Sequence, residues 1–441
     1  MNWEQYSSAV EQCRPLTVEG KVVKVTGLVA EGQGPGAGIG STCHICNGQG
    51  EPVLSEVVGF KDSRIMLMPY GEMRGINPGC KISLVHDKPF VPVSDNYLGR
   101  IVNGFGEPLD GVGPIPANVH YPLYGQVVNP MQRRSIKEVT DVGVAAINSM
   151  VTLGRGQRVG IMSGSGVGKS VLMGMMARHT SADVSIVALI GERGREVKDF
   201  VEQTLGVEGL KKSVVVAATS DVSPLVRMRG AYFATTLAEY FRDRGLNVLL
   251  LMDSITRFAM SARDVGLAVG EPPTVKGYTP SFFVQLPKLL ERAGSIEGKG
   301  AITGIYTVLV EGDDMNDPVG DAVRSVVDGH IVLSRDLANR GHYPAIDVPA
   351  SVSRVMRDVV DPQDMELCQK VKEILATYRD AEELIAIGAY VDGTDPKIDY
   401  AKKIIGRIND FLRQGINEKV AFKAAFDRLK GLFKEADNDG V

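Results

Sequence analysis

Residues 163–170, SGSGVGKS, combine the residue types that bind phosphate. They follow an apolar stretch, RVGIM, and run into a stretch with helical character, SVLMGMMARH. Glycines let the backbone curl so that its N–H groups point at phosphate oxygens, and a helix N-terminus adds a favourable dipole. Lys169 would then reach the β- and γ-phosphates, and the Ser170 hydroxyl would bind Mg²⁺. The pattern predicts a nucleotide site formed by Gly164, Ser165, Gly166, Val167, Gly168, Lys169 and Ser170.

The stretch 163–170 departs from the strict motif only at Ser163, which stands in place of the first glycine, and residues 164–170 form the predicted phosphate loop. The alternative is a glycine-rich strand-to-helix turn without a ligand.

Two other apolar stretches end in carboxylates. NVLLLMD ends at Asp253, which is how phosphate-loop enzymes present the aspartate that positions Mg²⁺, although a turn-capping aspartate has the same pattern. VSIVALI leads into Glu192 and Arg193. Ligand groups in open α/β sheets collect at the carboxyl ends of strands, so Glu192 could orient or deprotonate an attacking water and Arg193 could contact phosphate or hold Glu192. A charged surface loop with internal salt bridges fits these two residues equally well.

Composition narrows the class of protein around these motifs. The 441 residues carry a net charge of −4, with 44% hydrophobic and 23% charged residues, which is typical of globular proteins and excludes disordered, collagenous and coiled-coil chains. The absence of a basic excess disfavours nucleic acid as a partner. Five cysteines favour a reducing compartment. Cys43 and Cys46 form one CxxC without a second pair, so two thiols near a turn are expected rather than zinc.

The patterning predicts a multidomain α/β chain. Residues 1–15 carry an apolar helical stripe (Trp3, Tyr6, Val10, Cys13) that fits a partner contact, packing on its own domain or fraying. Short strands separated by glycine-rich turns predict a small β-barrel or sandwich over 16–90. Alternating apolar strands and helices predict a mostly parallel α/β domain over 91–360, entered through a linker at 91–135 with a proline-rich run from Asp110 to Gln132. Helical spacing predicts a C-terminal helical domain over 361–441.

Longer segments resemble a known family. GERGREV, LLLMDSITRFA and PAIDVPASVSRV resemble the rotary ATP synthase catalytic-subunit superfamily. GYTPSFFVQLPKLLERAG and GEPLDG are similar to its protein-export branch, the flagellar and type III secretion ATPases, and IGAYVDGTDPKID is closer to the flagellar form. The resemblance implies an N-terminal β-barrel, a RecA-like phosphate-loop domain and a C-terminal helical domain.

The resemblance also implies residue roles. Glu192 matches the family's catalytic glutamate, Asp253 the Mg²⁺-site aspartate, and Arg193 and Arg257 arginines at the phosphate site. Tyr343 matches an aromatic residue that stacks on adenine. Arg354 matches an arginine finger supplied by the neighbouring subunit, although the pattern alone makes it a lone cation for which a salt bridge is the expectation.

The expected activity is Mg²⁺-dependent ATP hydrolysis by a homohexameric ring that powers flagellar protein export. The resemblance implies a stator-like regulator, assigned to segment 1–15, together with export chaperones and substrates, a central stalk protein and an export gate at the membrane. The expected location is the cytoplasmic face of the inner membrane. Three alternatives remain at this point: a virulence secretion ATPase, a non-catalytic nucleotide-binding subunit and a hexameric RNA helicase.

Overall fold

A computed structural model describes residues 18–48, 50–310 and 317–438, with side chains described to 434. The N-terminal segment 1–15 and its apolar stripe lie outside the described residues. In the described part of the chain, no helix combines the length and the apolar character that a membrane span needs.

Six antiparallel strands close into a barrel in the order β1-β2-β5-β4-β3-β6. They are β1 (Glu19–Thr26), β2 (Val29–Gln33), β3 (Thr42–Cys46), β4 (Pro52–Lys61), β5 (Arg64–Pro69) and β6 (Lys81–His86). Alternate side chains such as Val22, Ile45 and Leu67 are fully or almost fully buried inside the barrel. Closure leaves no open sheet edge, so the expected barrel is confirmed.

The CxxC pair lies on strand β3. Cys43 belongs to the barrel core, and burial raises the pKa of its thiol to about 11. Cys46 is half-buried at the end of the same strand. Positions three apart on a strand face opposite sides of the sheet, so the two sulfurs cannot converge on one ion.

A nine-stranded sheet forms the centre of the molecule, in the order β17-β16-β10-β15-β13-β11-β12-β8 with β14 beside β15. Its strands are β8 (Ile101–Val102), β10 (Arg158–Ser163), β11 (Val184–Ile190), β12 (Ser213–Ala218), β13 (Asn247–Asp253), β14 (Gly294–Ser295), β15 (Ala301–Leu309), β16 (Gly329–Leu333) and β17 (Ile346–Ser353). The path from β16 to β8 is parallel, and the carboxyl ends of its strands therefore share one edge.

Helices cover both faces of this sheet. They are α1 (Ala145–Met150), α2 (Lys169–His179), α3 (Gly194–Asp199), α4 (Gly206–Lys211), α5 (Pro224–Asp243), α6 (Ile255–Ala268), α7 (Pro280–Leu290), α8 (Pro318–Val326) and α9 (Arg335–Asn339). Ile186 and Ala188 of β11 pack in one core and Val187 and Leu189 in the other, since successive side chains point to opposite faces. The uniformly apolar strands in the sequence reflect this double burial.

Four helices follow the sheet: α10 (Met356–Val359), α11 (Pro362–Ala386), α12 (Pro396–Leu412) and α13 (Phe422–Asn438). They pack against α1, α2 and the face of the sheet that these two helices cover, through one continuous core. Gln414, which is 7% exposed, joins them to the sheet domain: its amide nitrogen donates to the Gly143 carbonyl at 2.8 Å, and its amide oxygen accepts from Ala145 N at 2.7 Å.

Two strands lie where the sequence pattern did not predict strands. The proline-rich run is not wholly a linker, because Val119–Pro122 (β9) pairs antiparallel with Phe90–Val93 (β7). Strand β17 contains Pro349 and pairs antiparallel with β16 at the edge of the central sheet. An edge strand tolerates proline, because one side of the strand needs no ladder hydrogen bonds.

Candidate nucleotide-binding site

The phosphate loop joins β10 to α2 at the carboxyl edge of the parallel strands. Gly166 and Gly168 have φ values of +79° and +90°, a left-handed conformation that glycine adopts without steric cost. Helix α2 begins at Lys169, so its free N–H groups and positive dipole face the loop. The local structure is that of an anion cradle, as the motif predicts.

A cavity of about 470 Å³ opens over this loop. Nine predicted site residues line it: Gly164, Ser165, Gly166, Gly168, Lys169, Ser170, Glu192, Arg193 and Arg257. Val167 is instead buried in the core below the loop, where it anchors the turn. The cavity is large enough for a small-molecule ligand.

Lys169 and Asp253 meet beneath the cavity. Lys169 Nζ donates to Asp253 Oδ1 at 2.5 Å, and the Thr307 hydroxyl donates to the same oxygen at 2.7 Å. Asp253 is only 2% exposed, so it is a buried carboxylate held by two donors at the end of β13. A hydroxyl and a carboxylate are oxygen ligands of the kind Mg²⁺ binds directly or through water, so Ser170 and Asp253 fit that ion chemically.

Glu192 has the most strongly shifted carboxyl of the cavity wall. Burial, followed by its hydrogen bond to Glu196 and the nearby Asp253 charge, raises its pKa to about 7, and the Lys169 charge opposes that rise. Glu196, which accepts that bond, has a lowered pKa. A carboxyl that titrates near neutral pH inside a cleft suits proton transfer to or from a substrate.

Three arginines surround the cavity. Arg193 is 82% exposed and lies 3.6 Å from Glu196, so its ion pair is with Glu196 rather than Glu192. Arg257 stands in the first turn of α6. Arg227, in the first turn of α5, was not predicted; burial lowers its pKa, and its Nε has no hydrogen-bond partner among the described residues. Its signal was available, because α5 follows the carboxyl end of β12, where ligand groups collect.

Tyr343 lies beside the phosphate loop but does not line the main cavity. A Cβ on Gly168 would lie 3.5 Å from its ring, and the residue is 46% exposed. The Tyr343 carbonyl accepts from Gln414 N at 2.9 Å, which ties this residue to the C-terminal helices. The exposed ring face next to the loop can stack on a planar base.

Arg354 lies at the opposite edge of the sheet. Its N–H donates to the Asp328 carbonyl, and Asp328 N–H donates to the Arg158 carbonyl at the start of β10. The phosphate loop begins at the other end of that strand, roughly 17 Å away for six residues. Its exposed side chain forms no hydrogen bond or ion pair with another described residue, so the expected salt bridge is not found there.

A phosphate loop at the carboxyl edge of a parallel sheet, with acidic and basic side chains around its cavity, defines a P-loop nucleotide-binding protein. Three family models cover most of the chain. The ATP synthase alpha/beta nucleotide-binding domain matches residues 143–353, and the beta-barrel domain of that family matches 22–84. The T3SS EscN ATPase C-terminal domain matches 360–431.

Curated relatives match over almost their full length. The flagellum-specific ATP synthase of Pseudomonas aeruginosa is 49% identical over 97% of this chain and 96% of its own. The type 3 secretion system ATPase of Xanthomonas euvesicatoria is 45% identical over 95% and 94%. The solved structure of the assembled ATPase EscN from the enteropathogenic E. coli type III secretion system superposes with a TM-score of 0.88, at 43% identity, covering 94% of this chain and 99% of EscN.

The chain therefore belongs to the ATP synthase alpha/beta family, in the export branch formed by flagellum-specific ATP synthases and type 3 secretion ATPases. The expected barrel, phosphate-loop domain and helical domain are confirmed, as is the expectation of an ATPase of protein export.

Proposed function

We propose that this chain hydrolyses Mg-ATP in a homohexameric ring that powers flagellar protein export. The observation that carries this proposal is the position of Arg354. The phosphate loop and Glu192 stand at one edge of the sheet, and Arg354 stands at the other, exposed and with no side-chain hydrogen bond or ion pair to any residue that the structure describes. Identical subunits arranged head to tail would bring one chain's Arg354 to the next chain's cavity, so a closed ring could complete every site.

Each residue has a role in this reaction. The loop N–H groups and Lys169 bind the phosphates, and Lys169 exchanges its bond with Asp253 for one with the γ-phosphate. Ser170 and Asp253 would hold Mg²⁺, which neutralises charge on the phosphate oxygens. Glu192 accepts a proton from the attacking water. Arg354 of the neighbour stabilises the charge that builds on the transferred phosphoryl group.

The base and the phosphates would be fixed by three further side chains. Tyr343 would stack on adenine from its place beside Gly168. Arg193 and Arg257 would face the phosphates from the cavity wall. Arg227, which was not predicted, joins them there and supplies a third cation.

The relatives support the ring and its partners. EscN is solved as an assembled ATPase and in complex with its central stalk EscO, which supports a homo-oligomeric ring and a central stalk protein as partner for this chain. Segment 1–15 is the proposed contact for a stator-like regulator. Export chaperones, their substrates and an export gate at the cytoplasmic face of the membrane complete the proposed partners, and nucleic acid is not among them.

Hydrolysis measured against protein concentration tests the ring. Mg²⁺-dependent specific activity should rise steeply as light scattering shows assembly, because each site needs its neighbour. Equal activity per chain in a sample of monomers would contradict the proposal. Lys169→Ala is the matched control, since it removes phosphate binding without changing the subunit surface that carries Arg354.

Swimming motility tests the flagellar assignment. Expression of this chain in a strain that lacks its own flagellum-specific ATP synthase should restore swimming, and Lys169→Ala should not. Restored secretion in a strain that lacks its virulence ATPase, without restored swimming, would favour the virulence role instead.

A further inference from the structure

The segment that follows Glu192 in the sequence contains a π-helical turn. Helix α3 (Gly194–Asp199) begins two residues after Glu192 and continues directly into π-helix at Phe200–Leu205. A π turn inserts a residue and displaces the side chains that follow it, and such turns often occur at functional sites. Phe200 and Leu205 are almost fully buried, so this turn is fixed in the core rather than exposed.

The π turn touches the backbone of the phosphate-loop helix. A Cβ added to Gly174, in the middle of α2, would lie 2.0 Å from Thr204 Cγ2, 3.2 Å from its Cβ and 3.3 Å from its carbonyl oxygen. Real Cβ contacts are essentially never shorter than 3.0 Å, so a side chain at 174 requires the Thr204 methyl to turn away or the two segments to separate, and the Thr204 Cβ and carbonyl oxygen already lie at tight distances. Thr204 occupies the space of the missing side chain.

This contact connects the two halves of the cavity. Gly174 is five residues from Lys169, and Thr204 is twelve residues from Glu192. Val197 and Val201 pack against the same core as Leu172 of α2, so the segments are held together along their length. The contact between Thr204 and α2 therefore lies on the packed path that connects the phosphate loop to the Glu192 segment.

We infer that Gly174 and Thr204 are positioning residues for ATP hydrolysis, acting through the spacing between Lys169 and Glu192. The inference rests on the proposed roles of those two residues. A positioning contact affects the transition state more than nucleotide binding, because the loop's own N–H groups remain in place. A misplacement of 1 Å at a reacting group lowers the rate by up to about 100-fold.

The test compares Gly174→Ala, Thr204→Ser and the double variant in the assembled full chain. Gly174→Ala should lower kcat about 10- to 100-fold while the Kd for Mg-ADP changes less than about threefold. Thr204→Ser removes the contacting methyl, so the double variant should regain most of the lost kcat. Gly406→Ala is the matched control: Gly406 is also in a helix, a Cβ there meets nothing within 4 Å, and kcat should not change.

Two outcomes would overturn the inference: a folded Gly174→Ala variant with wild-type kcat, or a double variant as slow as Gly174→Ala. If Gly174→Ala does not fold, Thr204→Val and Thr204→Ala decide. Thr204→Val keeps the methyl group that contacts α2, so its kcat should be unchanged. Thr204→Ala removes that methyl group, so its kcat should fall severalfold. Equal kcat values in the two variants would overturn the inference. Lys169→Ala and Glu192→Gln in the same assay test the proposed roles of those two residues separately. Wild-type turnover in either variant would contradict its role in hydrolysis.

Discussion

At the scale of single residues, the Glu192 carboxyl determines how the site responds to pH. A general base must be deprotonated to act, and burial raises the pKa of this carboxyl to about 7. Below that pH the group holds its proton, and above it the group can accept one. The kcat/KM for ATP should therefore rise with pH through about 7, because that ratio reports the free enzyme.

Glu192→Gln removes the titrating group while keeping its size. This variant should lose about 10²- to 10⁴-fold in kcat and lose the ascending limb of the pH profile. Glu196→Gln is the control for the neighbouring carboxyl, and it should retain a limb shifted in pH. If the Glu192→Gln variant still shows the wild-type rise of kcat/KM with pH, that rise belongs to another titrating group.

Tyr343 should affect affinity rather than turnover. A stacked base is worth about 1–3 kcal/mol, so Tyr343→Ala should raise the KM for ATP about tenfold with a smaller change in kcat. Tyr343→Phe keeps the ring and should leave KM unchanged. Equal KM values in the alanine and phenylalanine variants would remove Tyr343 from the base site.

The sequence predicted the contiguous part of this site and missed the part that folding assembles. The phosphate loop is a local motif, so its residues and their conformation follow from eight letters. Three contacts depend on how separate elements pack together. They are the Thr307 hydrogen bond to Asp253, the Glu196 hydrogen bond to Glu192 and the position of Arg227 in the cavity wall. Arg354 could be assigned only through the family resemblance, because its placement depends on sheet topology.

At the scale of elements, the barrel is attached to the sheet domain through a buried carboxylate. Glu56 of β4 is 4% exposed and accepts from the hydroxyls of Tyr70 and, at 2.8 Å, Tyr124. Arg229 of α5 donates to the Tyr70 oxygen at 3.4 Å. Burial raises the pKa of Glu56, which its two tyrosine donors and Arg229 oppose.

Removal of this carboxylate should destabilise the junction between the domains. Glu56→Ala leaves the hydroxyls of Tyr70 and Tyr124 without their acceptor and removes the negative charge near the buried Arg229, so it should lower the free energy of unfolding by about 3 kcal/mol. Glu56→Gln keeps the volume and an acceptor oxygen, and should cost about 1 kcal/mol. Urea unfolding measures both, and an equal loss in the two variants would mean that packing, not hydrogen bonding, dominates there.

Element prediction succeeded where the hydrophobic period was clear. The apolar runs of β10 to β13 and the long helix α5, which ends just before Gly245 at φ +87°, follow from the sequence. Strand β17 was missed because Pro349 and alternating polar residues resemble a loop, and only pairing with β16 makes it a strand. The π turn at Phe200–Leu205 was missed because its sequence continues the helical pattern of α3 without a local signal that separates the two.

At the scale of the whole molecule, the central claim is that each ATP site is shared between two chains. One chain carries the phosphate loop and Glu192 at one edge of the sheet and Arg354 at the other. In this structure the length of β10 separates Arg354 from the phosphate loop of its own chain. Either chemistry occurs without Arg354, or it occurs between neighbours.

Mixing two inactive variants tests this claim most directly. Glu192→Gln chains retain Arg354, and Arg354→Ala chains retain Glu192. After equal mixing and assembly, about a quarter of the sites should pair an intact Glu192 with an intact Arg354 from the neighbour, so about a quarter of wild-type Mg-ATPase activity should return. A mixed ring of the normal size with no more activity than its two components would contradict the shared site.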